Sequence, residues 1–221
     1  MKPPNITNRI YDFMKEKSQF YQPFLLKNLY RQFPDIKDGT IREMMRRLVG
    51  EKKVIKIKNG LYVLPNPERV LQSYAVNVMN IIDSVYLKNQ DNEFIGYRSG
   101  INFANLLGLT SQTASVEVIY SNNVSTRKRE IKIQNNRLMI NAPRVKITNQ
   151  NYKLLQLLDL LTDFEKVSEY ELDQVQSKLL AYINAIQISS KELNRIVEAY
   201  PLPAQVKFYK IGAVNVITQL N

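Results

Sequence analysis

A helical pattern of apolar residues is followed directly by the pattern of a short hairpin between residues 38 and 65. Apolar side chains recur at helical spacing from Ile41 to Leu48, and arginines occupy much of the remaining surface. After Gly50, apolar residues alternate on both sides of Asn59-Gly60, a pair typical of a two-residue type I′ turn. A helix followed by such a hairpin predicts the second half of a winged helix-turn-helix.

Two further amphipathic segments precede this stretch. The first covers residues 5–17, and the second begins at Pro23, a good first-turn residue, and ends at Pro34. Ile36, in the turn that follows, is predicted to pack between the second and third helices. The predicted inward residues are Ile6, Ile10, Phe13 and Met14 in the first helix, and Leu25, Leu26, Leu29 and Phe33 in the second. Three helices and a two-stranded wing fill residues 5–65, the usual size of this module.

The break Pro65-Asn66-Pro67 predicts a domain boundary, which gives a winged helix-turn-helix domain over 1–66 and a second domain over 67–221. A helix of about 20 residues, 68–88, is expected to open the second domain. Further along, Gly96 and Gly100 are predicted to bracket a turn before a short helix over 100–107, which Gly108 would end.

The middle of the second domain predicts a small sheet. A strand is expected from Val116, and a hairpin over 127–134 and 137–141 around Asn135-Asn136. With a two-residue loop, the apolar cross-strand pairs would be Ile133 with Leu138 and Ile131 with Ile140, all on one face. Val145 and Ile147 predict one more strand.

The remainder of the chain is predicted to be mostly helical. Asn149 would cap a leucine-rich central helix, and the capping boxes Ser168-x-x-Glu171 and Ser189-x-x-Glu192 predict two more helix starts. The predicted fold class is therefore α+β: an N-terminal winged helix-turn-helix followed by a mixed α/β C-terminal domain with a small antiparallel sheet and several helices.

Composition narrows the chemistry. The chain has no Cys and no His, which excludes disulfides, the usual zinc sites, Ser-His-Asp triads and Cys-His pairs. We therefore expect no enzyme, no catalytic residues, no metal site and no cofactor. No apolar run approaches the roughly 18 residues that span a bilayer, and the first residues have no apolar signal core, so we expect a soluble, cytoplasmic protein.

The positive charge is concentrated at the N-terminal end. The net charge is +11, and residues 1–70 hold 15 Lys and Arg against 7 Asp and Glu, whereas residues 151–221 hold 7 against 8. A basic protein is often only a soluble one. A gradient that peaks on the helix and hairpin nevertheless favours a polyanionic partner at that end.

The predicted DNA-binding residues lie on the third helix and the wing. Arg42 and Arg46 are the candidates for base contact, because Arg binds guanine with two hydrogen bonds. A solvated charged surface would explain one or two of these arginines, and lysines on a hairpin also protect an exposed edge. The full set comprises Lys37, Thr40, Arg42, Arg46, Arg47, Lys56, Lys58 and Asn59.

Thr40 has two interpretations. Thr40-x-x-Glu43 is a capping box, which would occupy both side chains in starting the helix. A threonine cap could still offer its amide or hydroxyl to a DNA phosphate at the helix N-terminus. On the wing, the turn register predicts Ile55, Ile57, Tyr62 and Leu64 inward, and Lys56 and Lys58 outward.

A second basic patch is predicted at Arg127, Lys128, Arg129 and Lys132, with Arg137, Arg144 and Lys146 nearby. It could extend a DNA track, bind RNA or a nucleotide, or only keep an edge strand soluble. The sequence does not decide among these three roles.

Four stretches together resemble the AbiEi antitoxins of bacterial abortive-infection systems. They are IREMMRRLVGEKKVIKIKNGLYVLP in the basic helix and wing, then GYRSGINFANLLGLTSQTASVEVIYSN, TRKREIKI and ITNQNYKLLQLLDLL in the second domain. Each motif is weak, and the resemblance, spread over residues 5–165, lies in their order. The positions that match the family's basic helix and wing are Arg42, Arg46, Arg47, Lys56 and Lys58.

The resemblance implies a two-domain antitoxin of a toxin-antitoxin pair that takes part in phage defence. Its winged helix would repress its own operon by binding operator repeats in double-stranded DNA, which usually takes a second copy of the module, through dimerisation or cooperative loading. Its C-terminal domain would counter a nucleotidyltransferase-like toxin without a stable complex. The alternative is an RNA- or nucleotide-binding module whose winged helix mediates protein contacts.

Overall fold

The amphipathic segments at the N-terminal end form three helices, α1 (Ile6–Lys17), α2 (Leu26–Gln32) and α3 (Asp38–Gly50). The computed structural model describes residues 6–17, 23–65, 78–89, 91–124, 126–133 and 135–218. The chain divides into two units, Met1–Val85 and Tyr86–Asn221. The predicted boundary at 65–67 falls at the edge of residues 66–77, which lie outside the described residues, and it stays a prediction. The first part of the helix predicted over 68–88 also lies outside the described residues, and its described part consists of α4 (Val78–Ile82) and a π-helical turn, Asp83–Leu87.

The prediction that Pro23 opens the second helix is wrong, because residues 23–25 form a strand. This strand, β1 (Pro23–Leu25), pairs antiparallel with β3 (Leu61–Val63), and β3 pairs on its other side with β2 (Ile55–Lys58). The sheet order is β1-β3-β2, so Pro23 begins an edge strand, where a residue without an N–H is tolerated. Because β3 is central, all three of its residues are buried.

The core of the first unit lies between α1, α2 and α3. Its fully buried side chains include Ile10, Met14, Leu29, Ile41, Met45 and Leu48. Phe13 packs edge-on against Phe33 with ring centroids 5.4 Å apart. Ile36 is buried in the same cluster, as predicted, whereas Ile6, predicted to face inward, is 41% exposed.

The turn of the first hairpin differs from the prediction. Gly60 has a positive φ of 77°, and Asn59 does not, so the turn is not type I′. The register pairs Lys58 with Leu61 at the turn and then shifts, so that Lys56 faces Tyr62 and Ile55 faces Val63. This irregularity at Ile57 is a bulge, which an alternating sequence pattern does not reveal. Ile55 and Ile57 are consequently only half-buried.

The second unit contains a four-stranded sheet of order β4-β5-β7-β6. The strands are β4 (Gly96–Ser99), β5 (Glu117–Ser121), β6 (Lys128–Ile133) and β7 (Asn136–Asn141). β4 pairs antiparallel with β5, and β6 with β7, whereas β5 and β7 run parallel, a pairing that the sequence did not predict. The turn predicted between Gly96 and Gly100 is wrong, because these residues are β4 and the start of α5 (Gly100–Leu106). Gly108 follows α5 with a φ of 64°, as expected of a residue that ends a helix.

The β6–β7 hairpin keeps its predicted faces with a register two residues away from the prediction. Ile131 pairs with Leu138, and Ile133 with Asn136. An even shift leaves each side chain on the same face of the sheet, so Ile133, Leu138 and Ile140 are buried together as predicted. The strand predicted around Val145 and Ile147 is absent from the described residues 142–148. The Ile147 backbone is instead held by the side chain of Asn122, which accepts from its N–H and donates to its carbonyl.

A leucine-rich helix, α6 (Tyr152–Thr162), lies at the centre of the second unit, as predicted. Every residue from Leu154 to Leu161 is buried. Around it are α7 (Phe164–Val167), α8 (Leu172–Ile183), α9 (Ser190–Glu198), α10 (Leu202–Lys210) and α11 (Ala213–Thr218). The fold is therefore mixed α/β, with small sheets and many helices.

Three helix starts of the second unit were predicted from caps, and one is confirmed. Ser189 caps α9 and accepts from the Glu192 N–H at 3.3 Å. The capping box of α8 is formed by Glu171 with Gln174 rather than by Ser168 with Glu171. Asn151 rather than Asn149 precedes α6, and the Asn149 side chain accepts from the Phe94 N–H at 2.7 Å. Among the described residues, no helix is long and apolar enough to cross a membrane.

Candidate nucleic-acid interface

Helix α3 has a buried side and an arginine-bearing side. Ile41, Met45 and Leu48 have no exposed surface. Arg42, Arg46 and Arg47 are exposed, and the side chain of Arg46 is 80% accessible. Because the helix places residues 100° apart, burying the apolar stripe directs these arginines to solvent.

Glu43 joins two of the three arginines of α3. Its carboxylate accepts from Arg46 through two hydrogen bonds of 3.0 Å and from Arg47 Nε at 3.4 Å. The hydrogen bond from Arg46 is the main cause that holds the pKa of Glu43 below its usual range. Such exposed pairs are weak, so both arginines remain available to a phosphate or a base edge. Arg42 is separate and donates to the Tyr30 hydroxyl of α2 at 3.4 Å.

The predicted capping role of Thr40 is wrong. Lys37 is the residue before the helix, and no side chain caps this end. Helix α3 starts at Asp38, so Thr40 lies within the first turn and its N–H donates to the Lys37 carbonyl at 2.9 Å. The amide of Thr40 is therefore not free for a phosphate, and Glu43 is occupied by arginines rather than by a cap.

The chain passes from α3 to the hairpin through a Schellman motif. The Lys52 N–H donates to the Val49 carbonyl at 3.0 Å, and the Lys53 N–H to the Leu48 carbonyl at 3.0 Å. Lys52 occupies the left-handed position with a φ of 58°, where glycine is usual. These bonds connect the end of the arginine helix directly to β2.

The hairpin carries the other predicted contacts. Lys56 is exposed in the middle of β2, Lys58 is its last residue, and Asn59 is exposed in the turn. The Gly60 carbonyl accepts from the Leu26 N–H at 2.8 Å, which connects the turn to the start of α2. Hydrogen bonds thus connect the turn of the hairpin to α2 and the segment before β2 to α3.

The structure divides the second basic patch between two faces of the sheet. Lys128 and Lys132 are exposed on one face of β6, whereas Arg129 alternates to the other face with Ile131. Arg129 lies by Tyr86, its Nη2 3.4 Å from the phenol oxygen, and its buried Nε has no hydrogen-bond partner. Arg127 and Lys128 line a cavity together with Arg144, so three of the sequence's basic residues come together there.

A buried polar cluster around Asp159 was missed in the sequence. Tyr97 and Tyr200 both donate to Asp159 Oδ2, the second at 3.4 Å. Burial raises the pKa of Asp159 to about 7, and it also raises the pKa values of Tyr97 and Tyr200. The sequence feature that could have revealed it is the single aspartate within the leucine-rich helix, whose leucines already predicted burial on all sides. No group of three acidic residues in the described ranges is placed to hold a metal ion.

Comparison with known proteins does not place the chain in a family. No protein-family model matches the chain, and no curated protein matches it.

Proposed function

We propose that the first unit is a winged helix-turn-helix that binds double-stranded DNA, and that the protein is an autorepressor and antitoxin. The observation that carries the DNA-binding part is the orientation of α3. Its apolar stripe is buried under α1 and α2, and its three arginines face solvent. A helix presented in this way, preceded by a helix and a short turn and followed by a hairpin, suits the major groove.

The residues of the interface have different expected roles. Arg42 and Arg46 are assigned to base edges, because bidentate Arg contacts to guanine are a common specific contact. Lys37, Arg47, Lys56 and Lys58 are assigned to phosphates, which position the module without reading sequence. With its amide bonded, Thr40 contributes at most its hydroxyl.

The antitoxin part of the proposal is supported by the resemblance to the AbiEi antitoxins. In this proposal the first unit binds repeats upstream of its own gene, and the second unit counters a nucleotidyltransferase-like toxin encoded alongside, without a stable complex. Co-expression with the neighbouring gene tests it. We expect that gene alone to stop growth and the full chain to restore growth, while affinity purification of the chain does not retain the toxin. A neighbouring gene without toxicity would refute this part.

Fluorescence anisotropy on the chain's own upstream DNA tests the DNA-binding part. The variant is Arg42→Ala/Arg46→Ala, and its matched control is Arg195→Ala. Arg195 is also an exposed arginine paired three residues back with a glutamate, at 2.6 Å, but it lies on α9 of the second unit. The control therefore removes one exposed arginine and a similar ion pair within the other unit.

We expect the double variant to lose at least tenfold in affinity and the control to bind as the wild type does. The double variant should also discriminate less between this DNA and an unrelated duplex, whereas the dependence of log Kd on log salt should change little, because the phosphate contacts, each worth about 0.9 of the slope, are assigned to other residues. Binding that survives the double substitution, or that does not weaken with salt, would refute the assignment of α3 to DNA.

A further inference from the structure

A basic cavity of about 670 Å³ lies on the sheet of the second unit. We call it the basic pocket and define it by Arg127, Lys128, Arg144, Tyr120 and Asn141. Three cations, a phenol and an amide thus surround one concavity. Its volume falls within the range of about 300–1,000 Å³ that is usual for small-molecule sites.

The sheet register builds the pocket. Tyr120 of β5 pairs with Asn141 of β7, and Asn141 pairs with Lys128 of β6, so the three side chains form one row across three neighbouring strands. The Ala142 N–H donates to the Arg127 carbonyl at 2.9 Å. This bond holds the segment before β6 beside the segment after β7, which carries Arg144.

The cations of the pocket have no carboxylate partner among the described residues. Elsewhere in the same unit, exposed arginines are paired: Arg137 with Glu130 at 2.7 Å and Arg195 with Glu192 at 2.6 Å. Arg144 instead lies over the ring of Tyr200, its guanidinium carbon 5.5 Å from the centroid. Three unneutralised cations around a concave surface focus a positive potential, which attracts an anion.

The buried carboxyl of Asp159 weakens this potential only in part. Asp159 accepts from Tyr97 and Tyr200, and it faces Tyr120, Arg144 and Asp163. Burial raises the pKa of Asp159 to about 7, so a large fraction of this carboxyl is neutral near pH 7.

The rest of the pocket wall is apolar. Pro143, Ala142 and Ala199 line it together with Tyr120. We propose that the basic pocket binds a nucleoside polyphosphate, with the phosphates on Arg127, Lys128 and Arg144 and the nucleoside against the apolar wall. Arg supplies bidentate bonds to phosphate oxygens, and Lys supplies a point charge. The proposal does not depend on DNA binding by the first unit.

Isothermal titration calorimetry of the full chain with ATP, GTP and inorganic triphosphate, each with Mg²⁺, tests the proposal. We expect ATP or GTP to bind with a Kd below about 100 µM, which is more than 5 kcal/mol of binding free energy. Inorganic triphosphate should bind at least tenfold more weakly, because it has no group for the apolar wall. Equal affinities would overturn the nucleoside part, and no binding at millimolar nucleotide would overturn the whole.

Variants locate the site. Arg127→Ala and Arg144→Ala should each weaken nucleotide binding about tenfold or more, and Arg144→Lys should recover part of the loss. Lys132→Ala is the matched control, since Lys132 lies exposed on the same face of β6 but does not line the pocket. Thermal melting of each variant verifies that the chain remains folded. An unchanged affinity in both arginine variants would overturn the site.

Duplex DNA separates the two sources of phosphate. The Arg42→Ala/Arg46→Ala variant should keep its nucleotide affinity while losing duplex binding, and Arg127→Ala/Arg144→Ala should do the reverse. If the pocket variant loses duplex affinity and no nucleotide competes for the pocket, then the pocket belongs to a nucleic-acid track and the proposal is overturned.

Discussion

Of the seven glycines, Gly96 is the one at which an added methyl group is expected to lower stability most. A Cβ atom added there would lie 2.0 Å from the Tyr86 carbonyl oxygen and 2.6 Å from that of Tyr120. Both neighbours are backbone atoms. The Tyr86 carbonyl also accepts from the Ser121 hydroxyl at 2.6 Å, and Tyr120 is paired on both sides within the sheet.

The distances set the magnitude of the effect of Gly96→Ala. Real Cβ atoms essentially never lie closer than 3.0 Å to such neighbours, so the Tyr86 backbone must move by the missing 1.0 Å. Overpacking in a close-packed core costs about 1–3 kcal/mol, and each backbone hydrogen bond lost costs about 1 kcal/mol more. We expect Gly96→Ala to lower the free energy of unfolding of the second unit by about 3–5 kcal/mol.

Urea denaturation followed by circular dichroism measures this loss, and amide hydrogen exchange locates it. The control is Gly50→Ala at the end of α3, where an added Cβ meets nothing within 4 Å and φ is not positive. It should be neutral or stabilise by up to about 1 kcal/mol. A loss below about 1 kcal/mol for Gly96→Ala, or one confined to the first unit, would refute the steric argument.

Two more substitutions test local features. Lys52→Gly should stabilise the first unit by about 0.5–1 kcal/mol, because glycine adopts the positive φ of this position without strain. Lys52→Ala is the control, since it removes the same charge but keeps a Cβ atom, and it should not stabilise the unit. Equal melting curves for the two variants would contradict this prediction. Asp159 has its pKa raised by burial to about 7, against about 4 when unfolded. Its contribution to stability is therefore full below about pH 4 and lost as the pH rises through 7. Asp159→Asn should gain stability relative to wild type between about pH 4 and 7, by up to about 1.4 kcal/mol per pH unit, and a constant difference would refute the burial argument.

The spacing of apolar residues predicted the helices that are buried along one stripe and the helix that is buried on all sides. Helix α3 has the buried stripe that the pattern from Ile41 to Leu48 predicts, although it begins at Asp38 rather than after a Thr40 cap, and α6 is the buried centre that its leucines indicate. Strand β1 could not be predicted in this way, because three residues that begin with a proline carry too little pattern. Its partner β3 lies far along the chain, and tertiary pairing decided the conformation.

Register and caps were less predictable because they depend on single residues. The bulge at Ile57 shifts the first hairpin by one, whereas the second hairpin shifts by two and keeps its faces. In the second unit, two caps were misplaced because several Asn, Ser and Glu residues near each helix start could serve. In the fold, Glu171 caps α8, whereas Asn151 precedes α6 and its side chain bonds to the backbone of Thr148 and Lys146 instead of capping the helix.

Helical spacing predicted which arginines of the candidate interface are exposed, but it did not predict their ion-pair partners. Spacing permitted the Glu43 ion pairs with Arg46 and Arg47, although a capping role for Glu43 fitted the same residues. Period-two alternation in β6 implies that Arg129 faces away from Lys128, and a cluster defined by sequence proximity ignores this. Arg144 joins the basic pocket only through the fold of the segment after β7.

The position of β6 in the sheet gives the basic pocket a dynamic property. Among the described strands, β6 lies at the edge of the sheet and pairs only with β7, and it supplies Lys128, while Arg127 immediately precedes it. Local opening of an edge strand requires less free energy than opening of the strands between. Each opening removes two cations from the pocket. The apparent affinity for an anion is therefore the intrinsic affinity multiplied by the fraction of molecules in which β6 is paired. A ligand in the pocket must consequently slow amide exchange in β6 more than in β4, at the opposite edge of the same sheet.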